Sequence, residues 1–280
     1  MLAPRHSLLV RITHWINAFS LALLLLSGLG IYNAHPALYW GQQSHFDRPW
    51  LATGAAIQGG QLRGVTRLGG TQFDTTGVLG ASSVDGRPTA RGFPAWLTLP
   101  GPRHLSVSRR WHFFFAWLFA VNGAIYALSA VLLGHLARDL LPTADQLRPR
   151  HVLQEIWDHA RLRFARGEAA RHYNVLQKGA YLGAAFVLLP LMILTGMTMS
   201  PGLDAAFPWL LDLFGGRQSA RSIHFIVAWL IVGFFLVHIA MVVLSGTWNN
   251  IRSMITGRYA IEVEPPAAAP TASDASAGLH

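Results

Sequence analysis

The sequence contains no cysteine. That absence removes disulfides, iron–sulfur clusters, thiolate ligands and covalently attached c-type haem together, and leaves histidine to do any metal binding. Charge is scarce as well: only 12% of the 280 residues are charged, with 13 acidic side chains against 22 basic ones. A soluble domain carries about twice that share. The formal charge of +9 raises the question of nucleic acid, but the arginines flank apolar segments and no basic stripe carries a nucleic-acid motif. Membrane orientation is the better account of them.

What the chain does have is apolar length. It is 52% hydrophobic, with 10 Trp and a mean hydropathy of +0.33, the composition of a protein that crosses a bilayer several times. Four segments reach spanning length, at about residues 10–31, 111–133, 175–199 and 223–244. The expected fold is therefore all-α and integral to the membrane: a four-helix transmembrane bundle with a long polar insertion, residues 32–110, between the first two helices. The N-terminal "MLAPRHSLLVRITHWINAFSLALLLLSGLGI" has arginines ahead of an apolar run, as a signal peptide does, but the run is long, no small-residue cleavage site follows, and His14 lies inside it. It reads as a retained first helix. Pro190 interrupts the third segment and predicts a kink. Gly28, Gly30, Gly183, Gly196 and Gly233 are small positions where helices or a flat cofactor can approach closely.

The insertion is rich in Gly, Pro, Thr and Arg and ends in "RGFPAWLTLPGP", a stretch fit for an interface. In the second connection, Val152, Leu153, Ile156, Trp157 and Leu162 point to an amphipathic helix on the membrane surface. That connection also carries Arg138, Arg148, Arg150, Arg161, Arg163, Arg166 and Arg171, whereas the third, residues 201–219, carries only Arg217. The bias puts the second connection in the cytoplasm and, with Arg5, Arg11, Arg252 and Arg258, both termini there too. The insertion is then extracytoplasmic, and loops of its length translocate regardless of charge. A domain over residues 1–258 is followed by a low-complexity tail, 259–280, with the composition of disorder.

Two of the 13 histidines lie in the last apolar run, "RSIHFIVAWLIVGFFLVHIAMVVL". An ionisable side chain inside a membrane helix is a functional hypothesis by default. The fourteen residues from His224 to His238 correspond to roughly 21 Å of helix with an offset of about 40°, so both imidazoles share a face, one toward each leaflet. His35, His45 and His104 fall in the outer insertion; His135, His151, His159 and His172 in the inner connection; His280 in the tail. Of those left in helices, His14 and His238 are inner, His112 and His224 outer. Two pairs result: His14 with His238, and His112 with His224. Neutral imidazole is a good haem ligand, and two per iron make a six-coordinate centre suited to electron transfer. Trp15, Phe113, Phe114, Phe115, Trp117, Phe225 and Trp229 are available as walls, and Arg11, Arg109, Arg110 and Arg221 as cations for propionates.

The motifs "RITHWINAFSLALLLLSG", "RRWHFFFAWLF", "YNVLQKGAYL" and "RSIHFIVAWLIVGFFLVH" together resemble the bacterial di-haem cytochrome b561 family, which includes membrane subunits of formate dehydrogenase, nickel–iron hydrogenase and thiosulfate reductase. The resemblance spans about residues 5–258 less the insertion. It implies two haem b, one bridged between the first and fourth helices and the other between the second and fourth. It also implies a quinone site at the start of the third helix, which carries over to Asn174 with Tyr173, Gln177 and Lys178 beside it. The insertion is longer than in the hydrogenase and formate dehydrogenase subunits, so their docking surfaces do not transfer. The chain is most similar to subunits that accompany periplasmic molybdopterin oxidoreductases, which implies a molybdopterin-containing periplasmic partner and leaves room for a homodimer.

The expected protein is thus a di-haem b-type cytochrome of the bacterial inner membrane, moving electrons between the quinone pool and a periplasmic redox subunit, with lipid around it. It is an electron-transfer subunit of an oxidoreductase, and any catalysis of its own is quinone oxidation or reduction. Two rivals stand beside it: a partnerless quinone oxidoreductase using a small oxidant such as superoxide, which needs an exposed outer haem edge, and a haem-free proton-linked transporter with a histidine relay, which would be colourless.

Overall fold

The computed structural model of the chain describes residues 2–101, 104–161, 163 and 173–260. Leu162, Arg166, Arg171 and His172 of the inner connection, and residues 261–280 of the tail, lie outside the described residues. Strand β1 (Leu2–Pro4) leads into helix α1 (Leu8–Tyr32). Strands β2 (Ala37–Leu38), β3 (Leu51–Gln58), β4 (Gln61–Leu68), β5 (Thr71–Asp74), β6 (Gly80–Val84) and β7 (Arg87–Arg91) follow, before α2 (Leu105–Leu132). Then come α3 (Pro149–Ala160), α4 (Val175–Gly183), α5 (Leu189–Met197), the short α6 (Pro201–Ala206) and α7 (Trp209–Leu213), α8 (Arg217–Leu244), α9 (Thr247–Thr256) and β8 (Arg258–Ala260).

Among the described residues, four helices are long and apolar enough to cross a membrane: α1, α2, the run Val175–Met197, and α8. Their surfaces are inverted relative to a soluble protein. Large apolar side chains face outward, with Phe114 66% and Leu132 79% exposed, while Ser20, Ser27, Thr195 and Ser222 are fully buried. Lipid tails solvate Leu and Phe as well as a neighbouring helix does, so helix contact in a bilayer depends on small residues and hydrogen bonds instead. Two of these hydroxyls have a local outlet: Ser27 Oγ donates to the Leu23 carbonyl at 2.6 Å and Thr195 Oγ1 to Leu191 at 2.7 Å.

The third membrane segment departs from a simple kink. A π-helical turn, Ala184–Leu188, joins α4 to α5 immediately before Pro190. Proline has no N–H to give and its ring crowds the carbonyl four residues back, and the widened turn absorbs both defects without breaking the helix. The second and fourth membrane helices begin earlier than hydropathy indicates. In α8 the extra residues are polar and rise into the outer domain, where Ser219 Oγ accepts from Gly41 N at 2.7 Å, and Ser222 Oγ accepts from Trp50 Nε1 at 2.9 Å while donating to the Tyr39 carbonyl at 2.6 Å.

The connection between α1 and α2, to which the sequence reading gave no secondary structure, is β. Strands β2-β3-β4-β5 form an antiparallel meander, and β6-β7 form a separate hairpin. Gly59–Gly60 closes β3 onto β4, and Asp85–Gly86 closes β6 onto β7, all four residues at positive φ as two-residue primed turns require. Leu29, Tyr32, Leu38 and Phe93 make the small core that joins this domain to the bundle, with Tyr32 stacked on Phe225 of α8 at 5.1 Å. Asn33, fully buried at the end of α1, accepts from Phe93 N at 2.6 Å and donates to Phe93 O at 3.0 Å.

At the opposite end β1 pairs with β8, Leu2 opposite Ala260, so Tyr259 and Ala260 belong to a strand instead of the tail in which they were expected. Arg11 donates to the Ile255 carbonyl at 2.9 Å and Trp15 to Met254 at 3.1 Å. The start of α1 and the end of α8 therefore sit on one face of the bundle. Helix α3 appears where the amphipathic pattern placed it, with Leu153, Ile156 and Trp157 unburied along one side.

Replacing Asn33 by Ala leaves Phe93 N–H without its acceptor, while Phe93 O keeps Arg91 Nε at 3.2 Å. One orphaned buried donor costs ~1–3 kcal/mol. Thermal unfolding in detergent should show a lowered midpoint, and an unchanged one would mean that the β domain is not anchored through this side chain.

Candidate functional site

The four helix-borne histidines meet as two pairs. The rings of His14 (α1) and His238 (α8) have centroids 6.3 Å apart at 55°, and those of His112 (α2) and His224 (α8) also stand 6.3 Å apart, at 62°. Because α8 is unbroken from Arg217 to Leu244, the pairs are separated by about 21 Å along it. Two imidazoles on opposite sides of one metal, each with a metal–nitrogen bond of about 2 Å and a ring centre about 1 Å behind that nitrogen, have centroids about 6 Å apart. Both pairs have this spacing. Among the described residues there is no cluster of three or more His, Cys, Asp or Glu. A metal held by either pair needs its other ligands from outside the protein, and a porphyrin supplies four. The donor set therefore fits a b-type haem in each place.

Local partners fix which ring nitrogen is available at the outer pair. His112 Nδ1 lies 3.1 Å from Ser27 Oγ and 3.2 Å from the Leu24 carbonyl, and His224 Nδ1 lies 3.0 Å from Thr195 Oγ1. Each hydroxyl has already given its proton to a carbonyl of its own helix, so it accepts from the imidazole, and Nδ1 carries the hydrogen. The Nε2 lone pairs are left for a ligand. At the inner pair, His14 Nδ1 is buried without a hydrogen-bond partner, and His238 stacks on Phe234 at 6.0 Å. Asn122 of α2 ties the helix beside His14, donating to Thr13 O at 2.8 Å and to Asn17 Oδ1 at 2.7 Å.

The arginines divide by environment. Arg11 and Arg221 are half-buried near the inner and outer pairs respectively, and Arg221 donates to the His35 carbonyl at 2.5 Å. Burial, then the Arg221 charge, hold His35 below the ordinary imidazole range, so it is neutral there. Arg109 and Arg110 are exposed, Arg109 lying over the Phe113 ring at 5.5 Å. The structure adds a buried arginine that sequence reasoning passed over: Arg91 of β7 donates to Phe93 O, Gly101 O and Thr98 Oγ1, holding the β domain together.

Asn174 and Gln177 have work of their own at the start of α4. Asn174 Oδ1 accepts from Gln177 N at 2.9 Å and Gln177 Oε1 accepts from Asn174 N at 3.3 Å, a reciprocal cap. Lys178, 7% exposed, donates to the Leu141 carbonyl and to Gln146 Oε1, each at 3.1 Å. Tyr173 beside them packs edge-on against Tyr181 at 5.3 Å. Burial, then Tyr181, push its phenol upward, so it remains a neutral donor. Of the wall aromatics, Phe115 is buried whereas Trp15, Phe114, Trp117 and Trp229 are largely turned outward.

Comparison with known proteins bears on the family of the chain. The sequence model of the family described as prokaryotic cytochrome b561 matches residues 5–257. A curated relative, a putative protein-methionine-sulfoxide reductase subunit, YedZ1, of Azospira oryzae, is 27% identical over 235 residues, covering 84% of this chain and 88% of the relative. No solved structure matches the chain.

Proposed function

The chain belongs to the prokaryotic cytochrome b561 family and is a membrane electron-transfer subunit, and we propose that it holds two haem b, one between His14 and His238 and one between His112 and His224, linking quinone to an external redox partner. The observation that carries this reading is the same 6.3 Å ring spacing repeated at two depths of the bundle. When bound, each haem would supply a one-electron iron couple, which a pair of histidine ligands would suit to electron transfer. The protein's part is to hold both ligands at fixed separation, exclude water with its aromatic and aliphatic walls, and place Arg11 and Arg221 where propionates need cations.

The arginine bias supports an orientation with the paired termini and the His14–His238 site at the cytoplasmic face of a bacterial inner membrane, and the β domain outside. The β domain is the natural seat for the external partner. The relative is named as a reductase subunit, which supports an outward flow of electrons to a reductase, and the sequence resemblance supports a molybdopterin-containing one. Quinone is placed at the inner end beside Tyr173, Asn174, Gln177 and Lys178. The capping oxygens of Asn174 and Gln177 are engaged with backbone, so the groups offered to a quinone oxygen are Gln177 Nε2, the Tyr173 hydroxyl and the Lys178 ammonium.

His224→Ala should remove the outer haem and His14→Ala the inner one, each leaving about half the haem per protein, while His151→Ala should keep both. Haem stoichiometry and visible redox titration of the purified protein decide this. Two haems with unchanged spectra in either ligand variant would break the pairing.

For quinone, Gln177→Leu removes the donor and the cap together, whereas Gln177→Glu keeps a capping oxygen but replaces the N–H donor by a charged carboxylate oxygen. With both haems retained, quinol-driven reduction of the inner haem should fall about tenfold in each, since losing one buried hydrogen bond to the reacting species costs ~1–3 kcal/mol. Normal rates in both, and in Asn174→Ser, would move the quinone site to the outer end.

A further inference from the structure

Helices α1 and α5 carry matching short runs, "LLLLSG" at residues 23–28 and "LMILTG" at residues 191–196, and each presents the same three-part device to one histidine of the outer pair. In α1 the parts are Ser27, the Leu24 carbonyl three residues earlier, and Gly28 one residue later. In α5 they are Thr195, the Met192 carbonyl three residues earlier, and Gly196 one residue later. The hydroxyl of each bonds back into its own helix at matching distances: Ser27 Oγ to Leu23 O at 2.6 Å and Leu24 O at 3.2 Å, Thr195 Oγ1 to Leu191 O at 2.7 Å and Met192 O at 3.2 Å. Each then accepts from an imidazole Nδ1, at 3.1 Å from His112 and 3.0 Å from His224, and each imidazole also faces the carbonyl, Leu24 for His112 and Met192 for His224. A glycine lies against each ring, with a tight fit at Gly28 and ordinary contact at Gly196. A Cβ on Gly28 would lie 3.3 Å from His112 Cε1, and one on Gly196 would lie 3.4 Å from His224 Cε1.

Among the described residues no such device serves the inner pair, where His14 Nδ1 is buried without a partner. The two centres therefore differ in a property that the ligand residues alone do not reveal. A hydroxyl and a carbonyl drawing on Nδ1–H fix the ring's tautomer and rotation, and they increase electron density at Nε2. A more strongly donating imidazole favours the oxidised iron over the reduced one.

We propose that Ser27–Gly28 and Thr195–Gly196 are matched imidazole cradles, positioning residues that orient both ligands of the outer haem and lower its reduction potential. The outer iron, once reduced, is thereby a stronger donor to whatever docks on the β domain. This rests on the assignment of His112 and His224 as haem ligands. Thr195→Val is nearly isosteric and removes only the hydroxyl; Ser27→Ala does the same in α1. The Leu24 and Met192 carbonyls remain to share the Nδ1–H, so each single change should have a partial effect and the pair of changes a larger one.

The experiment is a visible redox titration of the purified holoprotein with haem content measured on the same samples, the outer haem being identified as the one that His224→Ala removes. Thr195→Val should keep two haems and raise the outer midpoint, so that at a fixed potential the ratio of reduced to oxidised outer haem rises by about three- to tenfold, up to about 59 mV for one electron. The inner midpoint should not move, and Thr195→Ser should titrate as the parent protein. Loss of the outer haem in Thr195→Val, with normal Thr195→Ser, also supports the cradle, as a positioning device that the ring cannot do without. Two haems with the parent outer midpoint in the double variant Ser27→Ala, Thr195→Val would overturn the inference while leaving the ligand assignment intact. If His224→Ala keeps both haems, it is the ligand assignment that fails.

Discussion

An imidazole within the hydrocarbon layer presents one N–H and one lone pair, and both must find partners where no water is available. Much of this structure is arranged to meet that requirement. Four histidines project from α1, α2 and α8 into the bundle, and for the outer two the N–H is taken up by hydroxyl groups and carbonyls of α1 and α5. What remains is a pair of lone pairs facing each other across 6.3 Å between ring centres, a spacing that one six-coordinate metal satisfies on both sides at once.

The same constraint explains the character of the helix seams. Large side chains are of little use between helices in lipid, and the seams carry Ser, Thr, Asn and Gly, which allow close approach and local hydrogen bonding. Asn122 holds α2 to α1 beside His14, and Ser108 Oγ donates to the Leu99 carbonyl at the outer end. Outside the bilayer the logic reverses. The β domain buries Leu38 and Phe93 in the ordinary way and is fixed to the bundle by Asn33, Trp50 and the polar first turns of α8. A protein surface thus covers the outer end of the bundle near the His112–His224 pair, which suits docking by a macromolecule better than open access by a small oxidant.

Hydropathy and histidine spacing determined a large part of this protein without any structure. A run of about twenty apolar residues can only be a spanning helix, and a period of 3.6 residues puts His224 and His238 on one face whatever surrounds them. Depth then paired them with His14 and His112. Some of what was missed was nonetheless written in the sequence: "QGGQ" and "VDGR" between short strand-like runs are hairpin signals, and they close β3 onto β4 and β6 onto β7. The capping box of Asn174 and Gln177 was legible too, as a polar residue followed three positions later by Gln before an apolar run. Other features had no local signal. That Ser27 and Thr195 accept from the His112 and His224 imidazoles depends on which helix faces which, and that β1 pairs with β8 depends on both chain ends returning to one face. Periodicity fixes what one helix offers along its own length; the partner that takes up each donor and acceptor is set only when the helices are side by side.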